Sequence, residues 1–167
     1  VQCGASGIQT YSGSATSSTS GLIFHRNLGT ASPTFSSQTL DSSPAHDCEF
    51  ADLNSDGKLD IVVLGTTQIR TYLNGVSGNP LGTFTAGPVS THATGFSYPS
   101  QMTVGMLNSD GILDVAFGVP YIASSGTTGR VYTMIGNGAG GFTLTGSATS
   151  TLNANGGSGV TLTTGAW

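Results

Sequence analysis

The sequence predicts an all-β protein assembled from four-stranded antiparallel units, and three observations carry that prediction. Ser and Thr make up roughly a quarter of the 167 residues and Gly adds 26 more, a balance that disfavours long helices and favours strands joined by tight turns. A short Asp-rich segment occurs twice, 54 positions apart. Around both copies, β-branched and aromatic runs alternate with Asn/Gly-rich turns in the same order.

The repeat is explicit. Leu53-Asn54-Ser55-Asp56-Gly57-Lys58-Leu59-Asp60-Ile61-Val62 returns as Leu107-Asn108-Ser109-Asp110-Gly111-Ile112-Leu113-Asp114-Val115-Ala116, keeping Leu-Asn-Ser-Asp-Gly and then Leu-Asp at fixed offsets. A short apolar run precedes each copy, at 48–53 and 102–107, and a β-branched run follows, at 61–64 and 115–117; these read as the first and second strands. A third apolar stretch, at 69–73 and 131–135, leads through an Asn/Gly-rich turn to an aromatic-led fourth strand beginning at Phe84 or Phe142. Four-stranded units of about 40 to 60 residues, unable to bury both faces alone, are the signature of β-propeller blades.

The ends of the chain read as parts of a third unit. Leu22-Ile23-Phe24-His25-Arg26-Asn27, followed by Thr34-Phe35, matches the third and fourth strands, and Val160-Thr161-Leu162-Thr163 matches the first. The expected organisation is one domain spanning 1–167. It holds a partial blade at 1–45 carrying strands two to four, a blade with the first Asp-rich loop at 46–95 and a blade with the second at 96–150. Residues 151–167 supply the first strand of the split blade. Counting 54 residues on from Asp110 reaches Thr164, so the chain ends stand where a third loop would fall. An arbitrary piece of a longer array is the competing reading.

Charge excludes several partners. Charged residues are 7% of the chain and the net charge is −4, so no basic stripe exists for nucleic acid or an anionic membrane surface. No apolar run approaches the roughly 20 residues that cross a bilayer as a helix. A surface poor in Lys and Glu but rich in hydroxyls is common in secreted proteins, which places the chain outside the cell or on its surface. The sequence has no Asn-x-Ser/Thr sequon, so glycosylation would be O-linked. Cys3 and Cys48 are compatible with one disulfide in an oxidising compartment, and equally with two buried thiols.

The repeated segment carries the chemistry. Calcium takes six to eight oxygens at about 2.3–2.6 Å, and alternating Asp/Asn positions on a tight loop supply them from one side of the backbone. Asp52, Asn54 and Asp56 have that spacing. Gly57 permits the sharp turn, the Lys58 carbonyl points inward while its side chain leaves, and Asp60 closes the shell from the next strand. Helical calcium loops need an acid at position twelve, where Val63 stands here, so they are rejected. A plain Asp-Gly turn would explain one copy alone. Five of the eight acidic residues, however, are Asp52, Asp56, Asp60, Asp110 and Asp114, and clustered like charges cost stability unless a cation offsets them. The second loop offers Asn108, Asp110, the Ile112 carbonyl and Asp114, with Met106 in place of Asp52, and is expected to bind more weakly.

Asp52-Leu53-Asn54-Ser55-Asp56-Gly57-Lys58-Leu59-Asp60-Ile61-Val62-Val63 resembles the calcium loop of FG-GAP and VCBS repeats, the blade units of integrin α-subunit propellers and of many secreted bacterial proteins. Asp114-Val115-Ala116-Phe117-Gly118-Val119-Pro120, then Gly129-Arg130-Val131-Tyr132, is similar to that family's Gly-Ala-Pro signature and following Gly-x-Val-Tyr strand, with Val119 for the usual Ala. The first copy departs there, having Leu64-Gly65-Thr66. The resemblance covers 48–145 and implies a β-propeller, calcium in the strand-connecting loops, and adhesion, ligand recognition or surface assembly. It does not imply catalysis.

Family propellers close with about six to eight blades, and three here leave edges to be covered from outside the chain. The expectation is a homo-oligomer or filament in which the strand near 160–164 completes the blade begun at Leu22 in a neighbour. A carbohydrate- or protein-binding module is the alternative. His25, His46 and His92 lack the spacing of a metal site or nucleophile elbow and read as surface or loop residues, so no enzyme is expected. Gly136, Gly138, Gly140 and Gly141 lie in turns before strands, not before a helix, which excludes a dinucleotide cradle. Phe24, Tyr72, Phe84, Phe117, Tyr132 and Phe142 read as core between blades. Tyr11, Phe96, Tyr98, Tyr121 and Trp167 stand in less regular stretches and could face a ligand or an interface.

Overall fold

The computed structural model describes residues 22–27, 35–76, 82–92, 99, 101–119 and 130–149. These form ten strands in three antiparallel sheets. The first sheet pairs β1 (Leu22–Asn27) with β2 (Phe35–Asp41). The second runs β3 (Asp47–Ala51), β4 (Asp60–Leu64), β5 (Gln68–Asn74) and β6 (Phe84–Thr91) in sequential order. The third repeats that meander with β7 (Gln101–Gly105), β8 (Asp114–Val119), β9 (Arg130–Gly136) and β10 (Phe142–Thr149). Two four-stranded antiparallel units and one two-stranded antiparallel pair are thus in place. The first strand expected within 151–167 lies outside the described residues, as do Tyr11, Phe96, Tyr98, Tyr121 and Trp167.

Successive strands pair antiparallel in sequence order, and the second sheet packs on both sides because its strands carry two apolar faces. Ile61 and Val63 project one way from β4, joining Leu22, Ala45, Tyr72 and Phe84 beneath the first sheet. Val62 and Leu64 project the other way and meet Met102, Val115, Phe117, Tyr132, Met134 and Phe142 of the third. Every residue of β4 and β8 is consequently buried, which is why both read as unbroken apolar runs instead of alternating ones. Each buried Val, Leu or Ile contributes about 1.5–3 kcal/mol relative to exposure. Phe117 stacks on Tyr132 with ring centroids 5.4 Å apart, and Phe24 meets Phe84 edge-on at 4.7 Å, as expected for aromatics between blades.

Polar groups pin one sheet to the next. Asp47 Oδ2 accepts from Met102 N at 2.8 Å and Glu49 Oε2 from Val104 N at 3.0 Å, so alternate N–H groups on the edge strand β7 end on carboxylates of β3. At the outer strands Ser90 Oγ accepts from Phe142 N at 2.8 Å, and the Gln38 amide donates to Phe84 O at 3.1 Å. Edge strands otherwise present unpaired backbone groups, and these bonds satisfy them.

Two expectations need correction. The first strands were expected to reach Leu53 and Leu107 but stop at Ala51 and Gly105. The N–H groups of Leu53 and Leu107 go to the carboxylates of Asp60 and Asp114 instead of to a ladder. His92, read as a surface or connector residue, is fully buried. Its backbone N–H donates to Thr67 O at 2.9 Å, its Nε2 donates to Gly65 O at 3.1 Å, and its ring lies 4.7 Å from that of Phe117. His46 is half-buried on the same turn, with Nε2 3.1 Å from Thr66 Oγ1, whereas His25 is exposed in β1.

Candidate metal centre

Residues 52–59 link β3 to β4 and 106–113 link β7 to β8, so both Asp-rich segments are strand-connecting loops at equivalent corners of the two blades. The chain turns there through left-handed backbone, at Gly57 (φ 80°) and Gly111 (φ 78°), with Ser55 (φ 59°) also left-handed in the first loop. Glycine adopts this conformation without steric cost.

The side-chain oxygens of the first loop curl onto its own backbone. Asp52 Oδ1 accepts from Asp56 N at 3.1 Å and Oδ2 from Gly57 N at 2.9 Å. Asn54 Oδ1 also accepts from Asp56 N at 3.1 Å, and Asp56 Oδ1 from Lys58 N at 3.0 Å. The second loop repeats the inner part of this pattern, with Asn108 Oδ1 accepting from Asp110 N and Asp110 Oδ1 from Ile112 N, both at 2.8 Å. Met106, in the place of Asp52, is exposed and contributes no oxygen from its side chain.

The closing aspartates behave differently. Asp60 and Asp114 are fully buried at the first residues of β4 and β8. Asp60 accepts from Leu53 N at 3.1 Å and from Asn74 N at 2.8 Å. Asp114 accepts from Leu107 N and from Gly136 N, both at 2.9 Å. Each carboxylate therefore ties the start of its loop to the end of the blade's third strand. Burial pushes the Asp60 carboxyl above its usual range, with the charges of Asp56 and Asp52 adding to the effect against those N–H bonds. The roles of Asn74 and Gly136 as donors were not legible, because each lies many residues from its aspartate.

The Lys58 side chain does not leave the loop, as the sequence suggested. Its Nζ turns back to Asp56 Oδ2 at 3.1 Å and donates to Gly75 O at 3.2 Å. The ammonium beside it holds the Asp56 carboxyl below its ordinary value. Among the described residues no three His, Cys, Asp or Glu side chains converge on a metal-sized point. The donor chemistry still suits a hard cation, being all oxygen and strongly anionic, and the place beside Asp56 already holds a positive charge.

The remaining acids serve the fold. Asp41 pairs with Arg70 Nε at 2.7 Å and accepts from Tyr72 Oη at 2.8 Å. Burial opposes its ionisation, but bonds from Ser43 and Tyr72 and the Arg70 charge outweigh it, holding the carboxyl below its usual value. Cys48 is disulfide-bonded, and Cys3, the other cysteine of the chain, lies outside the described residues.

No curated protein and no solved structure matches the chain. The family model of the FG-GAP-like repeat matches residues 52–117, from the first aspartate of one loop through the second loop and most of β8. Residues 52–117, which lie across two stacked antiparallel blades, are therefore similar to the FG-GAP-like repeat.

Proposed function

We propose that this chain is a non-enzymatic, calcium-binding repeat protein of the cell exterior, with a structural or adhesive role, that associates head to tail with further copies of itself. One observation supports self-association above the others. Leu53 and Leu107 hold the same place in successive blades, yet Leu53 is 4% exposed beneath the third sheet while Leu107 is 44% exposed. The face that a following blade would cover is thus apolar. On the opposite side, Phe50 is 44% exposed where its counterpart Val104 packs against the core. In this reading the strand expected near 160–164 of one copy completes the blade begun at Leu22 in the next, bringing such faces together in a ring or a filament.

Calcium is the proposed cofactor, held by Asp52, Asn54, Asp56, the Lys58 carbonyl and Asp60 in the first loop, and by Asn108, Asp110, the Ile112 carbonyl and Asp114 in the second. Bound there, it would supply positive charge to loops that otherwise carry clustered carboxylates. Support comes from the recurrence of the inner Asn and Asp oxygens, the closing aspartate and the glycine turn at both corners. An extracellular setting is supported by the repeat type, and no helix among the described residues is long and apolar enough to cross a membrane.

Light scattering and electron microscopy in calcium and in chelator test the assembly. Regular fibres or rings that disappear when residues 159–167 are deleted are expected. Monodisperse particles that instead bind members of a glycan array would favour the recognition-module reading.

A further inference from the structure

The two loops differ in a way that bears on how they would take up calcium, and the difference lies in a cation the chain already supplies. Both carboxylate oxygens of Asp56 are engaged by one residue: Oδ1 by the Lys58 N–H and Oδ2 by the Lys58 ammonium. The same ammonium reaches Gly75 O in the turn after β5. At the matching position the second loop has Ile112, and Asp110 Oδ2 receives only the neutral Asn108 amide at 3.0 Å. Formal charge follows: Asp52, Asp56 and Asp60 against Lys58 leave −2 in the first loop, and Asp110 with Asp114 also give −2 in the second.

We propose that Lys58 is a displaceable counter-cation of the first loop, which calcium must evict from Asp56 in order to bind. The inference rests on the calcium reading above. A divalent ion and an ammonium on the same carboxylate repel one another, so binding has to break the Lys58 contact with Asp56 and release its tether to Gly75. Lys58 thereby cancels the advantage that the additional carboxylate of Asp52 gives the first loop over the second. It also holds the loop together when calcium is scarce, and couples occupancy to the β5–β6 turn.

The test is calorimetric titration of calcium into the full chain, with Asp110→Asn added where the first site must be read alone. Lys58→Met should tighten the first site about three- to tenfold, Lys58→Arg should leave it near the parent value, and Ile112→Lys in the parent chain should weaken the second site by a similar factor. Melting temperature gives an independent readout. Lys58→Met should lower it in chelator but not in saturating calcium, widening the calcium-induced rise, whereas a lysine serving only the surface would shift both equally. Unchanged first-site affinity in Lys58→Met, with calcium still binding, overturns the role of Lys58 alone. Absence of binding heat in the parent and in every variant overturns the calcium reading itself.

Discussion

Replacing Asp60 by Asn separates what this carboxylate does for the fold from what it would do for a metal. Asp60 is fully buried and accepts two backbone N–H groups, Leu53 N at 3.1 Å and Asn74 N at 2.8 Å. Bonds to a charged acceptor are worth about 1.5–3 kcal/mol each, and Asn retains one acceptor while turning an NH2 group toward the other donor. A buried donor left unsatisfied costs about 1–3 kcal/mol. Against this, Asn removes a buried charge lying near Asp52 and Asp56, so the net loss falls at about 1–3 kcal/mol. For a chain of this size each kcal/mol moves the melting temperature by about 2–4 °C, giving a drop of about 2–12 °C. Asp114→Asn should do the same, because its bonds to Leu107 N and Gly136 N repeat the geometry. The measurement is thermal unfolding in excess chelator, where no metal contributes. If both variants melt within a degree of the parent in chelator and fall below it only in calcium, the clamp carries no weight of its own and the reasoning fails.

Leu53→Ala should cost about 2–5 kcal/mol, whereas Leu107→Ala should cost well under 1 kcal/mol in the monomer yet weaken association; denaturant melts and light scattering check the pair. Burial holds both His92 and His46 below the ordinary histidine range, so the folded chain binds fewer protons than the unfolded one and stability falls as pH drops below about 6.5. The slope is at most about 1.4 kcal/mol per pH unit for each histidine, and His92→Leu should flatten it in chemical denaturation between pH 7 and pH 5.5. A methyl group added at Gly136 would collide with the backbone oxygen of Leu113, so Gly136→Ala should destabilise far more than Gly57→Ala, where only the positive φ opposes the substitution; comparative thermal melts decide this.

The blades were legible where structure follows from local pattern. Ile61-Val62-Val63-Leu64 announces a strand, and the Asn-Ser-Asp-Gly copies announce the turns, because turn chemistry is set by a few adjacent residues. What depends on distant partners was not legible. Asp47 and Glu49 meet backbone groups 55 residues away, and nothing in the sequence around them names Met102 or Val104. His92 stands among threonines with no apolar period, yet the neighbouring sheet brings Phe117 over its ring. The Lys58 side chain read as a solvent-facing group because its second acceptor, Gly75 O, belongs to another turn. In the loops, residue types and spacing were evident from the chain alone, whereas the use of Asp60 and Asp114 as backbone clamps required the third strands to be in place.

The carboxylates of β3 can only accept, so they fix the polarity of the seam they close: the neighbouring strand has to present N–H groups there. The positions 54 residues further on are Gln101 and Thr103, on the corresponding edge of the last described blade. An amide and a hydroxyl both donate and accept, and neither gains or loses charge with pH. The seam at β3 is therefore a one-way fitting for backbone donors, while the corresponding edge of the last described blade carries neutral side chains that can engage either kind of backbone group.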